Sequence, residues 1–320
     1  MITLKCINFE NKKVNRFNLL VSLMFFASRL FAQERLLDED RIFLDSKQDS
    51  LAYYGRQIVE SDDVAVRFRS DSFFTRILMR ALKTKHSFHY PFDSLLTISR
   101  VYAPDSAFRI FTWQVSKDED VHRRHGAIQM NTPDGSLVRF PLIDRSRLII
   151  NQADTITSNE WWIGAIYYRV LMHEWQQKKI YTLFGYDENS IRSTKKRLEV
   201  LRFDQGGNPV FGGPFFSFAE DTIPKKSQSR FWIEYKKNGN ARMMYDDELE
   251  LIIYDHLISE SNEPAKKFTY HPDGDYEGFK WMKGQWMHID KVFNQKLEDG
   301  QAPLVNPAVE KKLPPVKKDN

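Results

Sequence analysis

Cysteine is nearly absent: the 320 residues hold one, Cys6. It falls in an N-terminal stretch that reads as an export signal. The mature chain is therefore expected to have no disulfide, no thiolate nucleophile and no cysteine-ligated metal, and to depend on packing for its stability. An excess of charge of one sign is also missing. Of the 47 basic and 43 acidic side chains, five and one lie in residues 1–32, leaving 42 of each in the remainder. A formally neutral body lacks the electrostatic footprint of a nucleic-acid binder. There is no GxSxG elbow, no phosphate-binding glycine loop, no dinucleotide fingerprint and no strict internal repeat, so no cofactor is expected.

What is present points first to export. Lys12, Lys13 and Arg16 precede the apolar run "FNLLVSLMFFA", and "RLFAQ" offers a cleavage point after Ala32. The run is too short to span a bilayer, and an uncleaved anchor or an N-terminal core helix are the alternatives. At 42% hydrophobic and 14% aromatic residues the chain can bury a large core. Residues 34–62 read as helical. In "SDSFFTRILMRALK", Ser72 is the expected cap of a helix whose stripe is Phe73, Phe74, Ile77, Leu78, Ala81 and Leu82.

From Phe108 the texture changes to short aromatic and β-branched runs divided by turn residues. The expected strands are "FRIFTWQV", "HGAIQM", "LVRFPLI", "WIGAIYYRVLM", "KIYTLFGY", "KRLEVLRF", "FWIEYKK", "ARMMYD", "LELIIYD" and "QWMHIDKVF". "KNGN" at Lys237–Asn240 reads as a tight hairpin, and "PDG" at 133–135 and 272–274 as turns. Residues 204–216 read as a glycine-rich loop and 219–229 as a polar linker. The fold class expected is mainly β, antiparallel, sandwich- or propeller-like, with an N-terminal helical segment. The divisions are a signal over 1–32, a helical layer over 33–100, a β-rich domain over 101–302 and a disordered tail over 303–320.

The motifs "FRIFTWQ", "GAIYY", "YTLFGYD" and "PDGDYEGFKW…GQW", in that order over residues 100–293, resemble a group of uncharacterised exported proteins of Gram-negative bacteria. The resemblance implies export and a β-rich body. It transfers no catalytic residue.

Candidate chemistry is sparse. "HEWQQ" at His173–Gln177 begins like a zinc-protease motif but has Gln177 where the second histidine must stand. His122 and His125 are three apart, which suits one side of a helix and not one face of a strand. His86 and His89 follow a helix, where a histidine can complement the dipole. Asp255 and His256 are neighbours on an expected strand and so point to opposite faces. Asp187 and Asn189, with Glu188 between them, and Asp273 with Asp275, alternate as oxygen ligands do in calcium loops, though both runs lack the full ligand set and suit ordinary turns. Trp161, Trp162, Trp232, Trp281 and Trp286 are candidates for stacking on a sugar. The expectation is an exported, periplasmic binding or structural envelope protein, with a glycan or envelope component as possible partner. The rival is a hydrolase using scattered Asp and Glu residues.

Overall fold

Two helices open the computed structural model, in which residues 36–118 and 120–293 are described. The expected signal over 1–32, with Cys6 and its expected cleavage point, and the expected tail from 303 lie outside the described residues. Helix α1 (Asp38–Glu60) begins with Asp38, Glu39 and Asp40, whose charge suits the positive end of the helix dipole. Helix α2 (Val64–Leu82) starts eight residues before the expected cap Ser72. Asp63 is the cap, its carboxylate accepting from the N–H groups of Ala65 at 2.7 Å and Val66 at 3.4 Å. Ser72 instead sits inside the helix and bonds back to the Phe68 carbonyl.

Sheet I is β1 (Ser99–Tyr102), β2 (Phe108–Ser116), β3 (His122–Met130) and β4 (Arg139–Ile143), in that order and antiparallel. Sheet II runs β5 (Thr157–Ser158), β9 (Pro209–Phe211), β8 (Ser193–Phe203), β7 (Lys178–Asp187), β6 (Ile166–Trp175), and β12 (Arg230–Lys236) also pairs with β8. Residues 193–199 of β8 face β12 and residues 201–203 face β9, so one strand edge serves two partners. Sheet III runs β11 (Lys225–Gln228), β10 (Phe216–Phe218), β16 (Gln285–Ile289), β15 (Tyr270–Met282), β14 (Leu251–Ser259), β13 (Met243–Asp246). All ten expected strands form, while the short β1, β5, β9, β10 and β11 and the long β15 are additions. The expected loop at 204–216 thus holds β9 and the first residue of β10, and the expected linker at 219–229 holds β11.

The helices and sheets stack in sandwich-like layers, and strand periodicity explains how. Phe111, Trp113 and Val115 of β2 pack with Leu44, Leu51, Ile58, Phe74 and Leu78 of the helices. Phe108 and Ile110, on the other face of β2, pack with Tyr167, Tyr181, Leu183 and Leu201 of sheet II. The alternation repeats in β7 and β8, where Ile180, Phe184, Leu198 and Val200 face sheet III residues Ile252, Phe279 and Trp286. A run such as "KIYTLFGY" is apolar at successive positions because both faces of its sheet are covered. Each fully buried Leu or Phe contributes about 1.5–3 kcal/mol over exposure, so the helices form an integral layer of the body.

Three turns depart from expectation. "KNGN" is no hairpin: it carries the chain from β12 in sheet II to β13 in sheet III, with the Gly239 N–H donating to Lys236 and negative φ at both Asn238 and Gly239. The "PDG" at 272–274 lies inside β15, where Gly274 at φ +95 makes a bulge opposite Asp255–Leu257. A tight hairpin is formed instead by Gln176 and Gln177, at φ 49 and 62, between β6 and β7. This is the "HEWQQ" segment, a strand end with no metal-binding helix. Two left-handed glutamines are strained, since only Asn and Gly adopt that region readily. Replacing Gln176–Gln177 by Asn-Gly is expected to stabilise the protein by about 1 kcal/mol, raising the melting temperature by about 2–4 °C. An unchanged or lower melting temperature would count against a type I′ turn here.

Candidate functional site

The acidic turn after β7 is where the elements converge. Asp187, the last residue of β7, is buried between two guanidiniums: Arg124 of β3 bonds its Oδ1 and Arg197 of β8 its Oδ2 at 3.0 Å. The Asn189 N–H also donates to Oδ1 at 2.9 Å, and Arg124 reaches Asp144 at 3.5 Å. Burial pushes the Asp187 carboxyl up, but Arg197, Arg124 and the Asn189 N–H outweigh it and hold its pKa below the ordinary carboxylate value. Two protein cations therefore occupy the place an ion would take. Asn189, left-handed at φ 56, closes the turn by donating to Ser193 Oγ at 2.6 Å and Glu234 Oε1 at 3.0 Å.

The second acidic pair lies in the β15 bulge. Asp273 bonds His256 Nδ1 at 2.8 Å and the Asp275 N–H at 3.0 Å, and Asp275 faces Lys291 at 3.3 Å. Asp255 accepts from the Arg242 N–H at 2.7 Å while its neighbour His256 turns toward Asp273 and Glu277, as opposite faces of a strand require.

The tryptophans do not assemble a surface. Trp162 and Trp286 are fully buried, their indole N–H groups donating to Tyr167 Oη at 2.7 Å and Thr182 Oγ1 at 2.9 Å, so neither can stack on a ligand. Trp281 packs against Trp286 and His173. Trp161 is exposed on its own beside sheet I, and Trp232 lines a hollow of about 200 Å³ with Tyr254 and Glu277. The two histidine pairs differ from each other. His122 bonds Ser116 Oγ at 2.9 Å, whereas His125 stacks on Trp113 and faces Asp71 at 3.5 Å. The rings of His86 and His89 stack 6.5 Å apart.

Two larger hollows flank the acidic turn. One, of about 530 Å³, lies between the end of α1 and the ends of β2 and β3, and its lining includes Gln114, Asp118, His122 and Glu188. Gln114 Oε1 is buried there without a hydrogen-bond partner. The other, of about 420 Å³, is lined by Tyr168, Tyr186, Tyr235, Thr194, Lys196 and Asn240. Lys237 borders both. Its ammonium pairs with Glu188 at 2.5 Å, and Glu188 accepts from Tyr186 Oη at 2.6 Å, which makes these three side chains the partition.

Lys196 distinguishes the tyrosine-lined hollow. The ladder sets it opposite Tyr186 on β7 and Ile233 on β12, so it shares a face with them and continues the inward set of Leu198 and Val200. Among the described residues its ammonium has no hydrogen bond and no carboxylate at ion-pair distance. Burial lowers its pKa from the ordinary lysine value, and the nearest influences, Asp255 and Arg242, oppose each other. Sequence reasoning missed Lys196, although a lysine two residues before an inward Leu-x-Val pattern was a signal. Comparison with models of known protein families, with curated proteins and with solved structures gave no match.

Proposed function

We propose that the protein is an exported envelope protein that binds an acidic sugar residue of a glycan in the tyrosine-lined hollow. The observation that carries this reading is the uncompensated ammonium of Lys196. Other buried cations here have partners: Arg124 and Arg197 share Asp187, Arg230 pairs with Glu199, and Arg109 is held by the carbonyls of Ser87 and Tyr90 and by aromatic rings. A half-buried ammonium facing a cavity without a carboxylate is stabilised when a ligand supplies the anion. Three tyrosines provide flat, rigid faces for the apolar side of a sugar ring, with Thr194 and Asn240 placed to bond hydroxyls. The volume lies within the range of small-ligand sites. The basic and apolar pattern of residues 12–32 supports export.

Hydrolysis is less well supported. A glycoside hydrolase needs one carboxyl raised to serve as proton donor. Burial raises Glu277, in the hollow beside Trp232, but hydrogen bonds from His288 and Tyr254 outweigh this and hold it below the ordinary glutamate value. Glu188 is likewise held low by Lys237 and Tyr186 against its burial.

Calorimetric titration with a panel of uronic-acid oligosaccharides and their neutral counterparts tests the reading. Acidic members are expected to bind, and Lys196→Met, which keeps the apolar stem, to weaken them at least tenfold, about 1.4 kcal/mol. If no acidic member binds, or if Lys196→Met binds them as the wild type does, the reading fails.

A further inference from the structure

Among the named strands one pair is parallel, β10 beside β16, with Phe216 opposite Trp286 and Ser217 opposite Met287. Parallel neighbours end side by side, so the chain leaving β10 after Phe218 and the chain leaving β16 after Ile289 emerge together. Asp221 and Asp290 lie just past those ends, and His288 stands between them. Its Nδ1 is 2.9 Å from Asp221 Oδ1 and 3.2 Å from Asp290 Oδ1, and all three atoms lie within 4.8 Å of one another.

We propose that Asp221, His288 and Asp290 form a binding site for a divalent transition-metal ion of the zinc class, with Glu277 and Tyr254 orienting the histidine. The spacing suits such an ion. Zinc holds nitrogen and oxygen ligands at about 2.0–2.2 Å, which puts tetrahedral ligand atoms about 3.4 Å apart. The two histidine–aspartate separations need open by about 0.2–0.5 Å to reach that value.

The far side of the imidazole argues the same way. Nε2 lies 2.7 Å from Tyr254 Oη and 3.2 Å from Glu277 Oε2, and Tyr254 Oη lies 2.8 Å from that same carboxylate oxygen. If Nε2–H donates to the tyrosine oxygen and the tyrosine O–H donates to Glu277, every proton is used. The Nδ1 lone pair is then directed at two aspartates. Metal-ligating histidines use this arrangement, the second ring nitrogen being held by a carboxylate-based partner. Without an ion, a protonated imidazole can share its Nδ1–H between the two carboxylates, and that is the proton a bound metal would displace.

Charge gives a third argument. Asp221, Asp290 and Glu277 bring three carboxylates together, and the basic side chains recorded at ion-pair distance from them are two histidines, His288 and His256. His288 is only 7% exposed, packed on Phe218, whereas Asp290 is 56% exposed and leaves a way in. Three protein ligands leave a fourth position for water. One imidazole with two carboxylates favours zinc, cobalt or manganese over calcium, which gathers six to eight oxygens.

The test is calorimetry on the chelator-treated protein with zinc chloride, paired with cobalt chloride and visible absorption of the bound ion. Zinc is expected to bind at micromolar concentration, to give a coloured cobalt form, and to be undisturbed by 1 mM calcium. Asp290→Asn, a change at an exposed position, should fold normally and weaken zinc at least tenfold, and Asp221→Asn should do the same. His256→Gln, on the other oxygen of Glu277, should leave zinc binding within about twofold. The proposal is overturned if the wild type binds no zinc at 1 mM, if binding survives both aspartate changes, or if it is lost in His256→Gln.

Discussion

Replacing Arg230 by Met should destabilise the protein by about 3–5 kcal/mol, because it strands a carboxylate in the interior. Arg230 and Glu199 are both fully buried and bonded to each other across β12 and β8. Arg230 also donates to the carbonyls of Gln152 and Thr155 and to Thr157 Oγ1 at 2.7 Å, so one side chain fastens the 152–157 segment to sheet II. The second oxygen of Glu199 accepts from Tyr167 Oη at 2.5 Å, and Tyr167 in turn accepts from the Trp162 indole. Burial, with the Glu199 charge beside it, raises the Tyr167 pKa well above the ordinary tyrosine value and keeps it a donor. Arg230→Met removes the countercharge and leaves this chain of bonds anchored on an unpaired anion. The double variant Arg230→Met with Glu199→Gln removes both charges while retaining an acceptor for Tyr167, and should recover at least half of the loss. Urea unfolding midpoints at neutral pH measure both. A single variant within 1 kcal/mol of wild type, or a double variant no better than the single, would refute the account.

Asp187→Asn should have an effect of the same order, about 3–5 kcal/mol, for the opposite reason: it leaves two buried guanidiniums facing each other. It should also change the response to acid. The folded pKa of Asp187 lies below its unfolded value, about 3.9. Its contribution is therefore fully present above that value and disappears as pH falls through the lower folded pKa. Wild-type stability should fall below about pH 4 more steeply than that of the variant. Parallel acid limbs for the two proteins, or a variant as stable as wild type at pH 7, would show that Asp187 does not balance Arg124 and Arg197.

Both predictions rest on pairs that sequence could not offer. Asp187 is legible as a turn acid after "YTLFGY", yet its partner Arg124 lies 63 residues earlier in another sheet. The same limit hid the metal-site candidate, since His288 and Asp221 are 67 residues apart and meet only because β10 and β16 run parallel. Local pattern carried more of the fold. The stripe of α2 and the strand segments follow from periodicities that a single element displays. The Asn-Gly at 238–239 misled because turn propensity says nothing about which sheet the next strand joins. The glutamine hairpin went unseen because the strands on either side impose a conformation that its residues do not favour. Trp162 and Trp286 counted as possible ligand contacts only while their burial was unknown.

The middle position of β7 bears on self-association. Its segment "KIYTLFGY" is rich in β-branched and aromatic residues and holds one charge, at its first position, the composition from which fibrils are built. In the folded protein it has β6 on one edge and β8 on the other, while sheets I and III cover its two faces. The outer edge of β8 is in turn divided between β12 and β9, so the next strand inward offers no template either. This apolar stretch is thus inaccessible to a second chain until the layers separate, and its resistance to fibril formation becomes a property of global stability.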